Sequence, residues 1–286
     1  GADRLEGGAG NDTYIVDNHG DRIVELNAEG TDSVLASLSW ALAPHLENLE
    51  LIGAHTFSGT GNAQANVLTG NAAGNRLDGG AGADTLIGGA GHDTYIVDNA
   101  GDTIQETDAD SNDAVRAWVD WTLGDNLETL TLLGTKPLNG SGNGLDNTLT
   151  GNGNANVLNG GAGNDFLDAA SGHDTLTGGA GSDTFAFTTP LNALRNVDTI
   201  TDFVSGSDRI QLSALIFRDL GFSGSPSTDA FFHLGASAHD ADDRILYDPA
   251  TGALSYDADG TGALAAVQFA VLSGAPLLVH TDFSVG

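Results

Sequence analysis

Cysteine and methionine are both absent from the 286 residues. The first absence excludes a disulfide framework and any thiolate metal site. Basic residues are scarce: 9 Lys and Arg stand against 39 Asp and Glu, a formal charge of −30. That balance argues against nucleic acid, an anionic membrane or an acidic polysaccharide as a charge-driven partner, and makes a multivalent cation the natural counter-charge. No apolar run approaches the roughly 18 residues a membrane span needs, and no signal peptide is visible. Enzymatic signatures are missing as well. There is no H-E-x-x-H, no G-x-S-x-G, no phosphate loop and no cysteine nucleophile, so the expectation is that these residues do not form an enzyme. Asp257-Ala258-Asp259-Gly260 resembles the opening of an EF-hand, but its glycine comes two positions early and Gln268 stands where a bidentate Glu belongs, so it reads as a tight turn.

What is abundant is glycine, 41 residues, and it is ordered. Residues 61–96 divide into four nines, GNAQANVLT, GNAAGNRLD, GGAGADTLI and GGAGHDTYI, with an apolar residue (Leu68, Leu77, Leu86, Tyr95) at each eighth position. In GGAGADTLI the glycines 79, 80 and 82 can take positive φ and let backbones approach closely, leaving their carbonyls free to face a cation. Asp84 adds a carboxylate at the end of the turn, and an oxygen-only donor set on a flexible loop suits a hard ion such as Ca²⁺. The last three residues form a short strand with the eighth pointing inward. Two blocks then make one turn of a flattened coil, residues eighteen apart become neighbours, and a calcium ion fits between their loops.

The same pattern opens the chain, where 7–15 (GGAGNDTYI) and 16–24 (VDNHGDRIV) are blocks, and it loses phase afterwards. It reappears two residues late at Gly30, Asp32 and Val34, followed by alternation through Val34, Ala36, Leu38, Trp40 and Leu42, which predicts one longer strand with a buried face that includes Trp40. The stretch 46–52 predicts another strand. Residues 1–80 then align with 82–161 at a constant offset of 81 without a gap: Tyr14 with Tyr95, Trp40 with Trp121, Glu47 with Glu128. Such duplication is tolerated in a stack whose turns touch only their neighbours. A second run of nines covers 142–186, and its fourth block, AASGHDTLT, puts two alanines where glycines are expected, which predicts a weaker edge. The expected divisions are 1–60 and 61–141 as roll segments with longer strands, 142–187 as a third roll block, and 188–286 as a separate β-rich cap with strands near 199–204, 209–215, 243–247, 253–256 and 265–272. The sequence opens inside a block and without methionine, so it is expected to be a fragment of a longer protein.

The sixth position of the blocks carries the metal expectation. The candidate ligands are Asp3, Asp12, Asp21, Asp84, Asp93, Asp102, Asp165, Asp174 and Asp183, with the loop glycines Gly8, Gly10, Gly80, Gly82, Gly89, Gly91, Gly161, Gly163, Gly172, Gly179 and Gly181. Asn takes that position at 66, 75, 147 and 156, where it keeps an oxygen but brings no charge, so a hydrogen-bond ladder can replace the ion. The eighteen-residue rule favours the pairs Asp3 with Asp21, Asp84 with Asp102, and Asp165 with Asp183, and ranks Asp93 and Asp174, which pair back only with Asn, below them. An isolated G-x-D is an ordinary turn; more than ten blocks in phase are not. His92 and His173, at the variable fifth position, are expected to face solvent without a metal role.

Period, glycine placement, aspartate and apolar position together resemble the calcium-binding repeats of RTX proteins over about two thirds of the chain. The remaining third, through Asp198-Thr199-Ile200-Thr201-Asp202-Phe203, Asp208-Arg209-Ile210 and Tyr247 to Gly260, resembles the C-terminal part of serralysin-type proteases and related lipases, and Asp282-Phe283-Ser284-Val285 is similar to the tail of type I secretion substrates. The resemblance implies an all-β, right-handed parallel β-roll with a β-rich cap, several bound Ca²⁺, unfolded passage through the bacterial type I exporter by a signal-peptide-independent route, and folding on calcium outside the cell. The competing reading is a carbohydrate- or surface-binding adhesin or accessory module of an extracellular polysaccharide-modifying enzyme, which a basic or aromatic stripe would favour; none is visible, although neutral glycans fit.

Overall fold

The computed structural model describes residues 1–109, 111–221 and 223–286. Among the described residues its regular elements are almost all short strands joined by turns, and the chain forms two compact units, Gly1–Thr131 and Leu132–Gly286.

In the first unit each nonapeptide folds as its chemistry dictates: six residues turn and the next three extend. Thr85–Ile87 pairs in parallel with Val67–Thr69 on one side and Thr103–Gln105 on the other, with Leu86 opposite Leu68 and Ile104. Thr94–Val97 pairs likewise with Arg76–Asp78 and Ala114–Ala117, in a different sheet. Partners eighteen apart therefore stack, and consecutive blocks alternate between the sheets. The eighth-position residues Leu68, Leu77, Leu86 and Tyr95 are fully buried between them, each leucine contributing roughly 2 kcal/mol of burial. Because the duplicated unit is nine blocks long, an odd number, its copies enter opposite faces. Thr13–Val16 lies in the sheet of Thr85–Ile87, whereas its equivalent Thr94–Val97 lies in the other.

The alternating stretch 34–42 is not one strand. Ser33–Ala36 and Trp40–Ala41 lie in different sheets, and the N–H of Ser37 is taken by the carbonyl of Val16 at the corner between them. Alternation continues through a corner because both sheets face one interior, so a period of two cannot reveal the bend. Trp40 and Trp121 are half-buried rather than central to the core. Of the stretch 46–52, Asn48–Leu51 is extended.

In the second unit Val157–Ala162 pairs with Thr175–Ala180, and Phe166–Asp168 with Thr184–Phe187, again at eighteen residues. The first strands beyond Phe187 continue these sheets: Asp198–Ile200 adds in parallel to Thr175–Ala180, and Arg209–Leu212 to Thr184–Phe187. The roll thus gains another turn before its architecture changes, because an uncovered last rung is itself a pairing template. Val267–Leu272 then joins Asp198–Ile200 in parallel and turns the sheet antiparallel through Ala253–Tyr256 and Ile245–Asp248, while Phe283–Val285 covers Arg209–Leu212. Here aromatic rings replace the leucine ladder, with Phe187 and Phe217 each edge-on to Phe269 at 4.9 and 5.2 Å.

Candidate metal centres

One hydrogen bond recurs between stacked turns. The backbone N–H of a sixth-position residue donates to the side-chain Oδ1 one turn later: Asn66 to Asp84 (2.7 Å), Asn75 to Asp93 (2.6 Å), Asp84 to Asp102 (3.0 Å), Asn147 to Asp165 (2.8 Å), Asn156 to Asp174 (2.7 Å) and Asp165 to Asp183 (2.9 Å). The ladder survives where the sequence period fails. Asp12 donates to Asp32 and Asp93 to Asp113, twenty residues on; Asp174 donates to Asp198 and Asp183 to Asp208, after 24 and 25 residues. Extra residues bulge into the loops, and the carboxylate keeps its place. Asp32, Asp113, Asp198 and Asp208 are thus members of the series that a fixed count of nine misses; for Asp32 the signal was the displaced G-x-D.

The second carboxylate oxygen separates the turns into classes. Oδ2 of Asp12, Asp84, Asp93, Asp165, Asp174 and Asp183 is buried and has no hydrogen-bond partner. All six end a loop with the glycine-turn backbone. Gly80 and Gly82 have φ of 74° and 144°, Gly89 and Gly91 95° and 103°, Gly161 and Gly163 107° and 113°, Gly179 and Gly181 102° and 147°, and Gly8 and Gly10 repeat the form. The AASGHD loop keeps it too, with Ala170 at φ 65° before Gly172 at 152°. The predicted weaker edge therefore has the same shape, at a cost of about 1 kcal/mol for an alanine in the left-handed region.

Asn turns are closed by their own amides. Oδ1 of Asn66, Asn75, Asn147 and Asn156 accepts the N–H four residues earlier at 2.7–2.8 Å. Nδ2 of Asn66, Asn75 and Asn156 donates to backbone carbonyls of the preceding turn. The VDN turns close themselves differently: Oδ2 of Asp21 accepts the N–H groups of Asp17 and Asn18, and Oδ2 of Asp102 those of Asp98 and Asn99.

The predicted pairs are brought together, but their ranking changes. Asp165 and Asp183 both keep a buried oxygen without a partner, only Asp84 does in its pair with Asp102, and neither member has a buried one in Asp3 with Asp21, Asp3 being exposed at the chain start. Asp93 and Asp174, ranked lower, gain acidic neighbours ahead of them in Asp113 and Asp198. His92 and His173 are exposed yet tied to the following turn, His92 Nδ1 accepting from the N–H of Asn112 and His173 donating to the carbonyls of Val197 and Leu194.

Burial without a counter-charge pushes the carboxyls of Asp84, Asp93, Asp165, Asp174, Asp183 and Asp198 up. Asp84 and Asp165 rise to about 6 and Asp93 to about 7, desolvation outweighing the N–H bonds of Asn66, Asn147 and Asn75; Asp183 and the Asp174–Asp198 pair rise for the same reason. A buried oxygen that nothing satisfies costs free energy, and a cation held by it and by the loop carbonyls removes that cost. Calcium fits this donor set, which is oxygen throughout, charged, and mounted on glycine loops that can adjust.

The family model of the RTX calcium-binding nonapeptide repeat matches in four copies, at residues 1–18, 60–95, 141–176 and 150–185. Among solved structures the chain is similar to the AlgE6R3 subunit of the Azotobacter vinelandii mannuronan C5-epimerase, at 31% identity over 56% of this chain and 80% of that one, with a TM-score of 0.32. It is also similar to the extracellular lipase LipA of Serratia marcescens, at 14% identity over 89% of this chain and 45% of that one, with a TM-score of 0.25, so it spans less than half the length of that lipase. No curated protein sequence matches it. Nine-residue blocks, a stacked parallel roll and buried aspartate turns thus coincide with the matched repeats, and the chain belongs to the RTX calcium-binding nonapeptide-repeat proteins.

Proposed function

We propose that this chain is a calcium-dependent folding module of an exported bacterial protein, secreted through a type I pathway and without catalysis of its own. The observation that carries the calcium half is the set of six buried, unpartnered Asp Oδ2 atoms, which among the described residues are confined to the glycine turns. With a Kd of ~10⁻⁴ M, as extracellular modules have, and calcium about ten times higher, each ion stabilises the fold by roughly 1.4 kcal/mol. A few such ions decide whether a domain of ordinary stability folds. In a cytosol far below that Kd the contribution vanishes, and a charge of −30 favours an extended, exportable chain.

The export half is supported by the resemblance of the tail and by an ordering argument. Phe283–Val285 is a strand against Arg209–Leu212, Phe283 is fully buried, and Asp282 accepts from Ser205 Oγ and the Gly206 N–H. A tail held this way is readable only before folding, so export must precede the calcium step.

Far-UV circular dichroism during a calcium titration from chelator, with magnesium as control, tests the reading. A cooperative gain of β signal with calcium alone is expected; a chain equally folded in chelator would sink it. For export, deleting 282–286 should abolish secretion of the chain by a type I exporter, and undiminished secretion would remove that half.

A further inference from the structure

Two places in the roll collect carboxylates beyond what the repeat provides. Ligand oxygens of Asp93, Glu106 and Asp113 all lie within 4.8 Å of one another, and so do those of Asp12, Glu25 and Asp32. The two clusters are the same residues displaced by 81 positions, and both occur where the period slips by two. In each, the glutamate opens a loop, a position held by glycine or alanine in the six glycine turns. A tyrosine replaces the eighth-position leucine: Tyr95 donates to Glu106, and Tyr14 to Glu25.

A core tyrosine satisfied by one glutamate would explain only part of this. It leaves three carboxylates together, with Asp93, Asp113 and Glu106 at 1%, 0% and 9% exposure. Among the described residues no ion pair of a Lys, Arg or His reaches either cluster. Oδ2 of Asp93, on a side chain that is almost wholly buried, is aimed into its cluster without a partner, and Oδ2 of Asp12 and Oε2 of Glu25 are likewise unpartnered in the other. Gly88 shows where these groups converge. A Cβ there would stand 1.9 Å from the Tyr95 hydroxyl, 2.3 Å from Asp93 Oδ2 and 2.7 Å from Glu106 Oε2, and one at Gly7 would meet Asp12 Oδ2 and Tyr14 in the same way. Buried like charges at this spacing are costly unless a cation joins them.

We infer that Asp93, Glu106 and Asp113 under Tyr95, and Asp12, Glu25 and Asp32 under Tyr14, form two sites of a second kind for a hard divalent cation, tighter than the ordinary glycine turns and filled before them. The inference rests on the calcium reading and adds to it a third carboxylate, which raises affinity through ligand charge. Each site pins the turn in which two extra residues interrupt the nonapeptide, so the earliest ions fix the register where the repeat itself is weakest. The odd repeat unit places the two sites at opposite edges of the coil, since their loops lead into different sheets.

The test is calcium binding to the full 286-residue chain by equilibrium dialysis, comparing wild type with E25Q/E106Q. Two ions should leave the tightest class and bind at least about tenfold more weakly, while the rest bind as before. Tyrosine-excited terbium luminescence supplies a second readout that does not need the glutamate variant to fold. In wild type the first two equivalents should carry the sensitised emission, and Y14F/Y95F should lose most of it. A tight class unchanged in E25Q/E106Q, or first-equivalent emission unchanged in Y14F/Y95F, overturns the inference and leaves the calcium reading standing. A wild-type chain that binds no calcium overturns both.

Discussion

Turns 70–75 and 88–93 are stacked neighbours joined by the Asn75-to-Asp93 bond, yet they solve the same problem in opposite ways. GNAAGN is self-sufficient. Asn75 accepts from the N–H of Asn71 and donates to the carbonyl of Phe57, and Asn71 closes an Asx turn onto the N–H of Ala73. GGAGHD leaves Oδ2 of Asp93 buried and unsatisfied. One rung holds its shape without help, and the next needs a positive charge. Both runs of nines place Asn rungs before Asp rungs, 61–75 ahead of 79–93 and 142–156 ahead of 160–183. If calcium drives folding as proposed, the amide rungs are the part of each run that closes without it and the glycine rungs are the part that waits for the ion.

The comparison is broken most severely by removing what the glycine turns require of their backbone. A Cβ at Gly181 would lie 1.8 Å from the carbonyl oxygen of Gly163 at a φ of 147°. G181A should destabilise the calcium-loaded chain by about 3 kcal/mol or more, seen as a lowered Tm in calorimetry; an unchanged Tm would mean the loops do not stack this closely. Exchanging the two side chains tests the chemistry instead. N156D removes the donor to the Leu138 carbonyl and leaves a buried carboxylate, and should cost about 2 kcal/mol in chelator. D84N should do the reverse, with a higher Tm in chelator and weaker calcium binding; if both variants shift the chelated Tm in the same direction, the division into closed and open rungs fails.

Acidity gives a graded version of the same test. The carboxyls of Asp84, Asp165 and Asp93 sit at about 6, 6 and 7, above their ordinary value of 3.8, so in chelator they penalise the fold only when ionised. Their contribution is fully favourable below about pH 4 and is lost as pH rises through 6 to 7. Calcium reverses the preference because it binds the ionised form. The chelated chain should therefore be better ordered at pH 5 than at pH 8, and the calcium midpoint should fall to lower concentration over that interval. A chelated melting temperature that is flat between pH 5 and 8 contradicts the assignment.

Much of this was legible in the sequence because a nine-residue period fixes both the register and the inward residue. Leu68, Leu77 and Leu86 could face only one way, and the eighteen-residue neighbours followed. What was not legible lay where the chain leaves the period. The corner between Ala36 and Trp40 hides because alternation carries on through it. Asp113 and Asp198 hide because loop residues absorb the slip while the N–H ladder does not move. Glu25 and Glu106 carried a signal of their own, a charged residue opening a loop in both copies, but counting sixth positions alone passes over it. The silence of Asp21 and Asp102 needed coordinates, since only the path of the VDN turn shows both oxygens already taken.

The smallest effect concerns His173, in the one glycine turn whose first two positions are alanine. Its ring reaches the carbonyls of Val197 and Leu194, and those two acceptors raise its pKa because both ring nitrogens can donate only when the imidazole is protonated. The stabilisation is therefore present below the ordinary value of 6.5 and disappears as pH rises through the raised one. That direction matches the calcium-free carboxyls, so the two contributions must be separated with the ions bound. In saturating calcium H173Q should destabilise the fold slightly at pH 6, by no more than about 0.5 kcal/mol for so exposed a group, read as a small drop in Tm, and leave the Tm unchanged at pH 8.5. Equal loss at both pH values would mean that the ring acts by packing over the segment 190–197 rather than by charge, and the Asp174 turn would then owe its closure to Asp198 and Asn196 alone.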